Sequence, residues 1–333
     1  MELATIERSE KLKLFISNYF ADVKYIVEPM RGDAGLRNYH RTKTDDGKSF
    51  VIMDCPPTYA EVSKFIQISD YLLKENFSAP TIFAQDIENG FLILEDFGNV
   101  SLKDYLQSDN QGIDQKNAIY HLIIDLLISL QNKVAPTFLK DFNDEILCNE
   151  LDLFINWYIP YKYNQELKIH EFNEFIELWQ KIFSQIIAMP SSIILRDFHL
   201  ENMMYLEMRE SINKIGLLDF QDALIGSPIY DLVSVLEDAR FEVPRDMALK
   251  LVDYYAEKKA LNKESVLINY HILGAQRNCR ILGVFARKAV KENDDYYLQF
   301  IPRVEKYLEY DLSHPILNNM KEWLKNLKTG FYD

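Results

Sequence analysis

The sequence is poor in the features that mark secreted, membrane-spanning or nucleic-acid-binding chains. It has three cysteines in 333 residues, Cys55, Cys148 and Cys279, scattered and without C-x-x-C spacing. That excludes a disulfide framework and a zinc-finger signature, and it suits a reducing compartment. No apolar run approaches the length needed to cross a bilayer. The opening residues, MELATIERSEKLKLF, carry early acidic side chains and no apolar h-region. No signal peptide is visible there, and a cytoplasmic location is expected.

Positive charge is in deficit as well: 37 Lys and Arg against 51 Asp and Glu give a formal net charge of −14. Such a chain repels phosphate backbones and anionic lipid, which disfavours nucleic acid and membrane partners. The acidity does not pool. Residues 1–97 hold 11 basic and 16 acidic side chains, and the rest hold 26 and 35, a similar density. Net charge therefore gives no sign of a cleft built for a cationic substrate. Protein partners are left undefined by the sequence.

What is present is ordinary globular material, 48% hydrophobic and 26% charged, with no low-complexity segment. The 20 Tyr, 20 Phe and 3 Trp read as core mass. The length favours two modest cores over one large one.

Residues 5–20 have the spacing of an amphipathic helix. Short strand patterns then crowd together at 24–30, 38–44 and 49–54, with Asp45-Asp46-Gly47-Lys48 as a hairpin turn between the last two. A helical pattern follows Pro56-Pro57 to about Glu75, and two more strands, 81–87 and 90–95, flank a turn at Glu88-Asn89-Gly90. From about Ser101 the pattern is mainly helical, at 101–107, 114–133, 145–159, 170–187, 228–239, 245–259, 263–290, 294–310 and 315–327. Residues 192–219 interrupt it with short strands around a polar loop. The expected fold class is α+β, with a small antiparallel β lobe at 1–97 and a large helical lobe at 98–333.

The strongest chemical signal is Leu195-Arg196-Asp197-Phe198-His199-Leu200-Glu201-Asn202, followed by Leu218-Asp219-Phe220. Asp197 and Asn202 stand five apart on one loop, and Asp219 ends the next strand of a tight hairpin. Phosphoryl transfer needs this set. One carboxylate orients and deprotonates an acceptor hydroxyl, while an amide oxygen and a second carboxylate hold Mg²⁺ on nucleotide phosphates. Hard oxygen ligands suit that ion. D-x-x-x-x-N alone is common; its combination with a strand, a turn, a strand and an apolar-D-F, after a β-rich lobe, is far more specific.

Seven stretches carry a resemblance: RGDAGLRNYHR (31–41), VIMDCPP (51–57), FLILEDFG (91–98), LRDFHLENMM (195–204), GLLDFQDALIGSPIYDLVSVLEDAR (216–240), QRNCRILGVFAR (276–287) and IPRVEKYL (301–308). In this order they resemble the aminoglycoside phosphotransferase and choline kinase superfamily. Through RDFH, DFQDA and the QRN helix they are most similar to bacterial anomeric kinases of N-acetylmuramate and N-acetylglucosamine. The resemblance implies a protein-kinase-like two-lobe fold, an ATP and Mg²⁺ requirement and a small-molecule sugar as acceptor. It implies Asp197 as the base, Asn202 and Asp219 as metal ligands, and Asp231 as a brace for the catalytic loop. Asp231 in the first turn of a helix could equally serve as a charge on the helix dipole. Glu95, Asp96 and Phe97 would form the hinge beside the adenine. Gly32 and Gly35 would let backbone approach phosphates, although no G-K-[ST] closes that loop. His199, Glu201, Gln221 and Asp222 would lie toward the acceptor. Arg277, with Arg280 and Arg287 on one helical face, either recognises an anionic substituent or is a surface charge paired to acids.

One departure matters. The superfamily places a phosphate-holding lysine on the third strand, and here that position holds Met53, with Glu61 where its acidic partner would be. Arg37 and Arg41, with Arg31 behind them, are the candidate replacements. Only residues 220–230 separate Asp219 from Asp231, too few for an activation loop, so a protein-substrate kinase is disfavoured. The leading expectation is an enzyme that phosphorylates an N-acetylated amino sugar. A kinase of aminoglycosides, choline or another small alcohol is the alternative, and a nucleotide-binding pseudokinase serving as a partner module is a further one.

Overall fold

The computed structural model describes residues 2–30, 37–56, 62–108 and 112–330. The elements in chain order are helix α1 (Glu2–Phe20), strands β1 (Tyr25–Pro29), β2 (Asn38–Thr44) and β3 (Ser49–Asp54), helix α2 (Val62–Lys74), and strands β4 (Ile82–Asp86) and β5 (Phe91–Glu95). Helices α3 (Leu102–Gln107), α4 (Ile113–Gln131), α5 (Asp144–Leu153), α6 (Ile159–Tyr163) and α7 (Ile169–Phe183) come next. Strands β6 (Ser192–Ile194), β7 (Met203–Tyr205), β8 (Ile215–Leu217) and β9 (Leu224–Gly226) follow. Helices α8 (Ile229–Leu236), α9 (Arg245–Lys258), α10 (Lys263–Glu292), α11 (Ile301–Asp311) and α12 (Asn318–Gly330) complete the chain. The fold is α+β, as expected.

Two compact units form, one from Met1–Ser108 with Glu201–Asp222, the other from Asp109–Leu200 with Ala223–Asp333. In the first, the five strands make an antiparallel sheet in the order β1-β2-β3-β5-β4. Ile16 and Phe20 of α1 pack on Ile52 and Ile93, flanked by Phe15, Tyr25 and Phe50. Side chains alternate across a strand, so Met53, paired with Tyr39 and Leu92, points to the other face. It is only 1% exposed.

The β7–β8 hairpin belongs to this unit, which places the division at 108 and again at 200 and 222, where the sequence suggested a single one after residue 97. The cause is backbone pairing. Leu217 N–H donates to Ser78 O at 2.7 Å and Tyr205 N–H to Val100 O at 2.9 Å. Tyr105 stacks on Tyr205 with centroids 4.0 Å apart. Gly216 is required here because a Cβ would sit 2.7 Å from the Phe97 ring.

The second unit is built around α10, 30 residues long and buried over most of its length. Asn262 caps its start, accepting from Ser265 N–H at 2.9 Å. The expected helix 145–159 is not continuous: α5 passes through a π-helical turn, Phe154–Tyr158, into α6. Gly283 explains the close approach there, since a Cβ on it would lie 2.2 Å from the Leu153 carbonyl carbon. The sequence also gave no sign of β9, which pairs antiparallel with β6 through Ser192–Gly226, Ile193–Ile225 and Ile194–Leu224. Three residues without alternation leave no strand signature. None of the described helices is long and apolar enough to cross a membrane.

Candidate active site

The loop carrying Asp197 starts where β6 ends. Asp231, fully buried on α8, accepts from Leu195 N–H at 2.6 Å and from Arg196 N–H at 3.0 Å, one bond to each carboxyl oxygen. Burial pushes its carboxyl up to about 7 against the pull of those two donors. Arg196 takes a left-handed conformation, φ 68°, which costs energy for a residue with a Cβ. Its surroundings hold it there: Ser234 Oγ donates to its carbonyl at 3.2 Å, and its guanidinium pairs with Glu150 and lies 5.5 Å over the Phe142 ring. The far end of the loop is tied by Asp238, which accepts from Leu200 N–H at 3.2 Å.

Burial works to raise the Asp197 carboxyl, but Arg280 above all, with His199, Arg277 and Arg196, draws it below the usual carboxylate range. His199 is 6% exposed and burial lowers its imidazole. Its Nε2 lies 3.2 Å from Arg240 Nη1 and accepts from that guanidinium. Arg277 is 3% exposed and donates to the Glu237 carbonyl at 3.5 Å. It therefore does not sit on a solvated helix face.

Glu150 was not singled out in the sequence. Its Oε1 pairs with Arg196 and, at 3.4 Å, with Arg280 Nε, and its Oε2 accepts from Gln276 Nε2 at 3.3 Å. One carboxylate on α5 thus fixes two of the arginines that set the state of Asp197. The only local signal was an acid beside the buried Leu147 and Leu151.

The other predicted residues lie in the β unit. Asn202 closes a single 3₁₀ turn, and its carbonyl accepts from Leu218 N–H at 2.9 Å. Phe220 is fully buried and stacks on Phe65 at 5.0 Å. That anchors the D-F pair, while Asp219 turns outward with φ 54°. Asp219 Oδ1 accepts from Gln221 Nε2 at 2.8 Å and faces Arg37 Nη1 at 3.3 Å. Gln221 Nε2 also lies 3.4 Å from Asp222 Oδ2. Glu201 pairs with Lys103.

Glu95 is engaged within the sheet. Its N–H donates to Thr81 O at 2.8 Å, and its carboxylate takes Thr81 Oγ1 at 3.0 Å and Arg209. The Arg209 guanidinium covers the Phe97 ring at 5.1 Å. Arg41 is committed to the segment after β5. Its Nε lies 2.7 Å from Asp96 Oδ2, and Nη2 donates to the Gly98 carbonyl at 2.8 Å. Of the two candidate phosphate cations, Arg37 is the one that points at Asp219. Gly32, Gly35, Arg31 and Glu61 lie outside the described residues.

Asp219 and Asn202 offer a carboxylate and an amide oxygen, both hard donors. Among the described residues no group of three or more His, Cys, Asp or Glu comes together as a cage. Carboxylate and amide oxygens are the donors that would suit Mg²⁺, with water and substrate phosphate as its further ligands.

The model of the phosphotransferase enzyme family matches residues 26–264, and the chain belongs to that family. It is an enzyme of the phosphotransferase class with a protein-kinase-like fold. The N-acetylmuramate/N-acetylglucosamine kinase of Caulobacter vibrioides is 28% identical, covering 97% of this chain and 97% of its own length. The kinase of the same name from Neisseria meningitidis is 29% identical over 91% of this chain and 90% of its own. An ADP-bound aminoglycoside phosphotransferase structure superposes with a TM-score of 0.61 at 14% identity, over 90% of this chain and 96% of its own.

Proposed function

We propose that the protein transfers the γ-phosphoryl group of ATP to the anomeric C1 hydroxyl of N-acetylmuramate or N-acetylglucosamine. The observation that carries this is Asp197, held in a loop braced at both ends and surrounded by arginines, five residues before Asn202. In this mechanism the Asp197 carboxylate accepts the hydrogen bond of the acceptor hydroxyl and takes its proton as the new bond forms. Asp231 keeps the loop in place, with Arg196 in its left-handed conformation. Bound Mg²⁺, held by Asp219 and Asn202, supplies charge neutralisation on the nucleotide phosphates.

The electrostatics favour the anomeric hydroxyl. A carboxylate drawn to low pKa by Arg280 is a weak base, best matched to a hydroxyl more acidic than an ordinary alcohol. The anomeric hydroxyl is such a group. The same arginines oppose a cationic acceptor, which disfavours aminoglycosides and choline. The names of the two relatives above agree with an amino sugar.

The test is ADP release on a panel of N-acetylated amino sugars, neutral sugars, aminoglycosides and choline. Turnover with the N-acetyl amino sugars alone supports the proposal. Turnover confined to the cationic acceptors would overturn it.

A further inference from the structure

Three observations in the β unit converge on Arg37. The third strand offers no lysine, because Met53 is core. Arg41 is occupied by Asp96 and Gly98. Arg37, one residue before β2, lays its guanidinium 3.3 Å from the Asp219 oxygen that also accepts from Gln221 at 2.8 Å.

We propose that Arg37 makes metal binding at Asp219 conditional on the nucleotide. This rests on the phosphotransferase mechanism above and extends it. Without nucleotide, Arg37 neutralises the carboxylate that a divalent cation needs, and its positive charge opposes the ion directly. A polyphosphate supplies other acceptors for the guanidinium, for which a forked cation is well suited. Arg37 then leaves Asp219 for the phosphates as the ion arrives with them. Nucleotide and ion thereby strengthen one another's binding, and by linkage the coupling is reciprocal. The arginine would take over the phosphate contact of the missing lysine and also compensate the charge of the ligand carboxylate until a nucleotide is present.

Such a role has opposite signs in two binding measurements, which a merely structural role has not. Mn²⁺ affinity is read by electron paramagnetic resonance on the whole chain, with and without a non-hydrolysable ATP analogue. In Arg37→Gln, Mn²⁺ without nucleotide should bind about two- to fivefold more tightly, the scale of a partly exposed ion pair. The same variant should bind the analogue about tenfold more weakly. Arg37→Lys keeps the charge and should stay near wild type in both. Unchanged or weaker Mn²⁺ binding in Arg37→Gln overturns the proposal, as does a Lys variant that behaves like Gln. Asp219→Ala separates this from the mechanism beneath it. If that variant binds Mn²⁺ with the analogue as well as wild type does, the metal role of Asp219 itself fails. If it loses that binding while Arg37→Gln shows no tightening, only the coupling fails.

Discussion

Asp197 is asked to do one thing, accept a proton, and its surroundings are arranged around that. Arg280 above all draws its carboxyl below the usual range, and Glu150 fixes Arg280 and Arg196 while partly cancelling their charge. Asp197→Asn keeps the shape and removes the basicity. Turnover should fall by roughly 10²–10⁴, the usual worth of general-base catalysis, while nucleotide affinity should hardly change. Steady-state rates together with a nucleotide titration check both halves, and near-full activity in the variant would remove Asp197 from the mechanism. Asp197, Asn202 and Asp219 were legible as candidates because their spacing came together with a strand, a turn and an apolar-D-F after a β-rich segment. Glu150 was not legible. Its partners lie 46 and 130 positions away, and nothing in its own neighbourhood asks for a charge.

At the scale of elements, most of the fold could be read from periodicity. The five strands of the sheet and the helix inserted after the third were expected close to where they stand. The failures share a cause: contacts distant in sequence decided them. The β9 strand exists only because β6 is beside it. The π turn after α5 occurs where α10 comes within contact of the Leu153 backbone at Gly283. A bulge of this kind often marks an adjustment forced on a helix. Gly283→Ala isolates that contact. Alanine would raise intrinsic helix propensity by up to about 1 kcal/mol, but its methyl would overlap backbone that cannot rotate away. A net loss of about 1–3 kcal/mol is expected, read as a lower urea midpoint. A midpoint equal to or above wild type would mean the crossing is looser than described.

For the whole molecule, the α8 C-terminus, α10 and α11 share a buried polar cluster. Asn278 donates to Glu237 at 2.7 Å and to Asp311 at 3.0 Å, and both carboxyls are fully buried. Arg245 reaches Glu237 at 3.5 Å, and His271 Nδ1 lies 3.0 Å from Asp311. Burial, together with the second carboxyl, pushes Glu237 up to about 8, burial raises Asp311 well above its ordinary value, and it lowers His271 to about 4. The folded chain therefore binds more protons at the carboxyls than the unfolded chain does, and stability falls as pH rises toward 8. His271 acts in the opposite sense, but only between about pH 4 and 6.5. Above that range the carboxyls act without it. The thermal midpoint should decline from pH 6.5 to 8.5, and Asp311→Asn should flatten the decline. An equally steep decline in the variant would place its origin elsewhere.

The position of the transferred phosphate distinguishes an anomeric kinase from every other acceptor reading. Incubating the protein with ATP, Mg²⁺ and N-acetylglucosamine or N-acetylmuramate, then following phosphorus–proton coupling by NMR, locates it directly. Coupling between the new phosphorus signal and the anomeric proton is the predicted result. Phosphate at C6, or no sugar phosphate under conditions where choline or an aminoglycoside is phosphorylated, would contradict it.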